Sequence, residues 1–264
     1  PIYWIGRFRY LTLRSLIISM ESISDHVVMA RVAEQSERYE DMKEFIKYVA
    51  TTIPDGEKEI RFSAEERNLL SVAYKNVIST RRSAWRNINA IEQKESTNPA
   101  HASVMNDIKE FRKKIEDEMK GICTEVIGII EKYLLHEDDS VDNRVYFYKM
   151  IGDYYRYECE FLTGSERDDA IANSDKNYKE AVKEATEKGL SPVNPTLLGL
   201  YLNYSVFYYE IKEDTKYACS LATDAFDNAV KVLDTLPEDD YKDTTLILQL
   251  LRDNLTLWSS EVEK

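Results

Sequence analysis

A chain of 264 residues that is 43% hydrophobic and 31% charged can bury a substantial core, which excludes an intrinsically disordered protein. With only 8 glycines and 6 prolines it lacks the turn-makers that a sandwich or barrel needs every ten residues or so, and long helices are expected instead. A formal net charge of −13 and a pI near 4.9 disfavour a nucleic-acid partner.

The first twenty residues differ in kind from the rest. They carry Arg7, Arg9 and Arg14, no acid, and a dense apolar set from Ile2 to Ile18. The arginines interrupt the apolar residues rather than precede them, and no run of about 18 apolar residues exists to span a bilayer. Neither a targeting peptide nor a membrane span is therefore expected. Residues 1–21 are read as an atypical segment outside the main fold, which occupies 22–264.

From Ser22 onward the 3.6-residue period dominates. Ser63-Ala64-Glu65-Glu66 has the form of a capping box opening a long helix, and Ser165-Glu166-Arg167-Asp168 is a weaker version of it. Pro54-Asp55-Gly56, Asn98-Pro99, the span Gly189 to Pro195, and Pro237-Glu238-Asp239-Asp240 read as breakers. Asn194 before Pro195 reads as a cap followed by proline at the first helical position. About nine helices and no strand are predicted, an all-α architecture of antiparallel helices stacked in an array. Cys123, Cys159 and Cys219 are odd in number and far apart, as suits buried thiols in a reducing compartment, so a cytoplasmic protein is expected. The sequons at Asn203 and Asn254 sit inside apolar helical runs where no glycan fits.

Two stretches concentrate cations in this acidic chain. In RNLLSVAYKNVISTRRSAWR, residues 67 to 86, the helical period puts Lys75, Arg82 and Arg86 within roughly 20° of one line, with Arg81 pointing elsewhere. Leu69, Leu70, Val72, Ala73, Val77 and Ile78 supply the buried face. Glu65 and Glu66 lie too far along to pair with Arg82 or Arg86 at i,i+4, so the stripe is predicted to lack a local partner. In YKMIGDYYRYE, residues 148 to 158, Lys149 and Arg156 are seven apart and Tyr157 follows. An arginine fork matches phosphate and a tyrosine hydroxyl can donate to the same oxygens, so the two clusters together suit one dianion. Farther along, Leu202, Asn203, Val206 and Glu210 occupy neighbouring turns of one apolar helix, and Ile247, Leu250, Asn254, Leu257 and Trp258 do so in the last. Asparagine in an apolar stripe can donate and accept at once, as a peptide backbone requires.

AEQSERY, RNLLSVAYKNVISTRRSAWR, GDYYRY, LNYSVFYYEI and YKDTTLILQLLRDNLTLW resemble, in order and spacing, the signature segments of the 14-3-3 family, and the likeness runs from about Val28 to Ser260. The resemblance implies nine antiparallel helices in a cup-shaped protomer that dimerises and binds partner segments bearing phosphoserine or phosphothreonine, with no catalytic activity. It implies phosphate contacts from Lys75, Arg82, Arg156 and Tyr157, with Lys149 flanking. Asn203 and Asn254 would clamp the ligand backbone, Glu210 and Trp258 would support that wall, and Leu202, Val206, Ile247, Leu250 and Leu257 would line its apolar side. It also implies a homodimer, or a heterodimer with a family paralogue, in which Val32, Ser36, Arg38 and Asp41 meet Ala84, Ile88, Phe111, Lys114 and Glu118. Arg38 would pair with Glu118 and Asp41 with Lys114 across that interface.

Several features depart from the family's pattern. Residues 1–21 have no counterpart, and the loop TTIPDGEKEIRFS, residues 51–63, is longer than usual. Phe111 replaces the usual tyrosine, Asn87 stands where an apolar residue is common, and Ala84 occupies a position where some members carry a phosphorylatable serine. A weakened dimer is expected. An enzyme is not: His26, His101 and His136 are isolated, and zinc-site, dinucleotide and P-loop spacings do not occur, so no metal or cofactor is implied. The alternative is a tetratricopeptide-like scaffold that reads peptides without needing phosphate.

Overall fold

The computed structural model describes residues 22–54, 56–97, 103–236 and 238–262. Among them are nine α-helices and no strand: α1 (Ile23–Gln35), α2 (Tyr39–Thr51), α3 (Ala64–Glu95), α4 (Met105–Ile129), α5 (Val141–Glu158), α6 (Gly164–Glu187), α7 (Pro195–Glu210), α8 (Thr215–Val230) and α9 (Glu238–Val262). They divide between two units, Pro1–Met105 and Asn106–Lys264. The atypical segment 1–21 and the Asn98-Pro99 breaker lie outside the described residues.

In the first unit local chemistry sets each helix end. The Ser22 hydroxyl caps α1 by accepting from Asp25 N. The capping box forms at Ser63: its hydroxyl accepts from Glu66 N at 3.2 Å while its own N–H donates to Glu66 Oε2 at 2.8 Å. Between α1 and α2 the chain reverses without proline or glycine. Glu37 adopts φ +55° and Arg38 N donates to Ala33 O at 2.8 Å, a helix-closing turn that composition did not signal. Met42, Phe45, Ile46, Val49 and Ala50 make the buried stripe of α2, at the spacing of a helix with one apolar face. On α3, Leu69, Leu70, Ala73, Val77 and Ile78 are buried as predicted, whereas Val72 is half-buried. The long loop before α3 is anchored, because Ile60 and Phe62 are buried.

In the second unit α4 continues into a wider π-helical turn, Ile130–Leu134. The weaker capping signal at Ser165 is displaced: α6 begins at Gly164 with Thr163 in the cap position, so Ser165 lies inside the first turn. Asn194 caps α7 as expected, accepting from Leu197 N at 3.0 Å, with Pro195 at its start. The breaker read at Pro237 to Asp240 falls between a 3-10 turn, Leu233–Thr235, and α9, which starts at Glu238, while Pro237 itself lies outside the described residues. One buried cluster joins α5, α6 and α7 through Val145, Tyr178, Ala181, Leu200 and Phe207. A second joins α7, α8 and α9, where Ala218, Ala222, Ala225 and Ala229 keep the inner face of α8 small. Gly152 lets α5 approach α6, since a Cβ there would stand 2.9 Å from the Tyr178 ring.

Candidate functional site

On α5, Lys149, Asp153 and Arg156 follow one another at i, i+4 and i+7 and share one helix face. Lys149 Nζ donates to Asp153 Oδ2 at 2.9 Å, and Arg156 Nη2 lies 3.6 Å from Asp153 Oδ1. The Arg156 side chain is held from behind: Nε donates to the Tyr178 hydroxyl at 3.2 Å, and that hydroxyl donates to Asp153 Oδ1 at 2.6 Å. Arg156 is only 6% exposed, and its guanidinium also lies over the Tyr157 ring, 4.8 Å from the centroid.

The electrostatics follow from burial and pairing. Burial by itself would raise the Asp153 carboxyl, but the Lys149 and Arg156 charges, with hydrogen bonds from Tyr178 and Lys149, hold it below the usual carboxylate range. Burial likewise opposes the Lys149 charge, and the Asp153 carboxylate outweighs it and raises the lysine. Two cations thus share one anion, and the cluster keeps an excess positive charge in a largely buried setting.

Asp153 is the residue that sequence reading missed. Its only local signal is that it stands four residues after Lys149 and three before Arg156. Asn203 belongs to the same network, because its amide nitrogen donates to Asp153 Oδ1 at 2.9 Å and Oδ2 at 3.0 Å. Beside it on α7, Leu202 and Val206 are half-buried and pack on the second cluster, and Glu210 is exposed. On α9, Ile247 packs on the same cluster, Asn254 is half-buried, and Leu250 and Leu257 are exposed, the latter to 59%. Trp258 is 2% exposed and stacks on Tyr209, so it supports α9 from the core side. Leu246, at 63% exposure one turn before Leu250, extends the exposed row and was also missed.

The remaining candidates lie on the first unit or on α4. Lys75 is exposed on α3, Arg82 is half-buried and Arg86 is exposed. Arg82 and Arg86 each have an interaction partner in the structure, so neither is a free cation. Arg81 points away as expected and pairs with Glu40 of α2. Among the dimer candidates Val32 is 46% exposed on α1, Ser36 follows it, and Ala84 and Ile88 are half-buried on α3. Phe111 is 54% exposed on α4, with Lys114 exposed and Glu118 half-buried. Arg38 pairs with Asp41 of its own chain, so those two side chains already have each other as partners.

Comparison with known proteins agrees with the signature segments. The model of the 14-3-3 protein family matches residues 29–259. The chain belongs to the 14-3-3 family. It is 50% identical over 246 residues to the checkpoint signal transducer rad24 of Schizosaccharomyces pombe, covering 93% of this chain and 88% of that protein. It is 48% identical to the 14-3-3-like protein GF14 epsilon of Arabidopsis thaliana over 238 residues, 90% of this chain and 91% of the relative. A third relative, GF14 psi of Arabidopsis thaliana, is 49% identical over 92% of this chain and 93% of its own. The 14-3-3 family consists of non-enzymatic adaptor and signalling proteins, so this chain is an adaptor rather than an enzyme. No described helix is long and apolar enough to cross a membrane.

Proposed function

We propose that this 14-3-3 protein binds phosphoserine- or phosphothreonine-containing segments of partner proteins and regulates them in signalling. In this reading Lys149, Arg156 and Tyr157 on α5 are the phosphate contacts, and the family resemblance adds Lys75 and Arg82 of α3 to them. The observation that supports this most directly is the charge balance on α5, where Lys149 and Arg156 share the single carboxylate of Asp153. A phosphoryl group brings about −1.5 to −2 charge and three acceptor oxygens, which complements that excess. A plain serine would meet the same cations uncompensated. The amide oxygen of Asn203, whose nitrogen serves Asp153, accepts from the ligand backbone; Asn254 makes the second clamp. Leu202, Val206, Ile247, Leu250 and Leu257, together with Leu246, form the apolar wall, with Glu210 and Trp258 supporting it. The acidic remainder of the chain repels bulk polyanions and so favours single phosphates in a recessed pocket. Three free cysteines suit a cytoplasmic setting, where kinases would supply such ligands.

Fluorescence anisotropy with one peptide in phosphorylated and plain forms tests the proposal, the peptide carrying arginine upstream of the serine and proline just after it. Charge-assisted hydrogen bonds are worth roughly 1.5–3 kcal/mol each, so two of them predict at least about a hundredfold preference for the phosphorylated form. Equal affinities would favour a tetratricopeptide-like mode instead. Arg82→Ala should weaken phosphopeptide binding by at least roughly 1.5–3 kcal/mol with the fold intact. Arg156→Ala is a poorer probe, because the buried Arg156 also bonds Tyr178 and its loss would disturb the fold.

Assembly follows the same reading. The protein forms a homodimer through Val32, Ala84, Ile88 and Phe111, and it dissociates more readily than typical family members. Exposed ion pairs contribute only about 0–1 kcal/mol, and cross-dimer pairing of Arg38 and Asp41 would first have to break the bond they make to each other. Sedimentation velocity over a dilution series should show a reversible dimer, and Phe111→Asp should yield monomer at all concentrations. A dimer that persists in Phe111→Asp would place the interface elsewhere.

A further inference from the structure

A cavity of about 470 Å³ opens among the C-terminal end of α6, the α6–α7 loop, the first turns of α7 and the end of α8. None of its lining residues belongs to the phosphopeptide site proposed above. Its volume falls in the range of small-molecule pockets, roughly 300–1,000 Å³. The floor is apolar, made by the buried Leu197, Leu198 and Ala225, with Leu190 and Val232 half-buried beside them.

The polar groups at its mouth divide into satisfied and unsatisfied ones. Thr186 Oγ1 donates to Val182 O at 2.8 Å, and Lys231 Nζ donates to Asn228 Oδ1 at 3.1 Å. The Asp224 carboxylate and the Tyr201 hydroxyl have no hydrogen-bond or ion-pair partner among the described residues. Burial, and after it the Asp224 charge, raises the Tyr201 phenol, so it stays protonated with its lone pairs available. Helix α6 also ends at this cavity. Gly189 at φ +69° closes it, with Leu190 N donating to Ala185 O at 2.9 Å, and the negative end of the helix dipole adds to the Asp224 charge. The cavity therefore combines an apolar floor with a negative wall at Asp224 and the end of α6, while Lys231, the cation at its edge, keeps its charge but directs its ammonium to Asn228.

We propose that this cavity binds a small aromatic amine, its ring seated against Leu198 and Ala225 and its primary ammonium held by the Asp224 carboxylate and the Tyr201 hydroxyl. A flat bicyclic ring fills the apolar space with few frozen rotors, and an ammonium supplies donors to two acceptors that otherwise lack them. An anionic ligand of the same shape would face Asp224 and the end of α6.

Tryptamine and indole-3-propionate share a ring and differ in the sign of their charge, so the pair separates this proposal from unspecific apolar binding. Isothermal titration of the full chain should show tryptamine binding at least about tenfold more tightly than indole-3-propionate. Asp224→Asn should cut the tryptamine affinity about fivefold or more, and Asp224→Lys should reverse the order of the two ligands. Asp224 is exposed, so both variants keep the fold, which a thermal melt checks. Equal affinity for the two ligands, no binding of tryptamine at millimolar concentration, or a ligand order indifferent to Asp224→Lys would each overturn the proposal.

Discussion

Asp153→Ala should lower the free energy of unfolding by about 3–5 kcal/mol, the loss expected when one partner of a buried ion pair is removed and the other charge remains. Here two charges remain. Lys149 and Arg156 both face Asp153, and Tyr178 and Asn203 donate to it as well, so the substitution leaves three donors without this acceptor and the Arg156 charge without its ion-pair partner. Acid should act in the same direction without mutation. The folded carboxyl lies below the usual range, so its contribution is in place above the unfolded value of about 3.9 and is lost as pH falls through the lower folded value. Urea unfolding of the wild type and Asp153→Ala at neutral pH and near pH 3 would test both points. The gap between the two proteins should be large at neutral pH and narrow in acid. A gap below about 1 kcal/mol at neutral pH would mean that the network contributes little to the fold.

Tyr178→Ala should cost about 3–5 kcal/mol, for a different mixture of reasons. The ring is fully buried, faces Gly152, and lies 5.0 Å from the Tyr204 ring and 5.7 Å from that of Phe207. Its hydroxyl bridges Arg156 and Asp153. Tyr178→Phe isolates the polar part: the ring stays while Arg156 Nε and Asp153 each lose a partner, a loss of about 1–3 kcal/mol. The packing part can be checked through Gly152, where an added Cβ would collide with this ring. Gly152→Ala alone should destabilise by about 1–3 kcal/mol through overpacking. Combined with Tyr178→Ala it should cost less than the sum, because the methyl group enters vacated space. Denaturant titrations of the four proteins give the coupling directly, and strict additivity would show that the close approach is relieved by movement elsewhere. A neutral Tyr178→Phe would mean that the bridging hydroxyl contributes nothing to stability.

What sequence alone determined about this protein is what one helix turn or one helix face can specify. The Ser63 capping box, the Asn194-Pro195 start of α7, and the placement of Lys149 and Arg156 on one face of α5 all rest on residues three to seven apart, whose relation the helical backbone sets. The signature segments identified the family for a related reason, since each lies within one or two helices. The Arg38–Asp41 pair, three residues apart, was also within reach of local spacing, but the family's dimer pattern pointed to partners in a second chain. Tertiary structure alone decided which polar groups complete one another. Asp153 becomes a hub because Tyr178, 25 residues on, and Asn203, 50 residues on, are brought to it by the packing of α5 against α6 and α7. The turning of Trp258 into the core while Leu246, Leu250 and Leu257 remain exposed depends on how α9 lies against α7 and α8. The cavity between Ala185 and Val232 likewise exists only where three helix ends meet. Periodicity records which side of a helix is apolar, but the depth to which that side is buried, and the partner it meets, depend on how ridges and grooves of distant segments interlock.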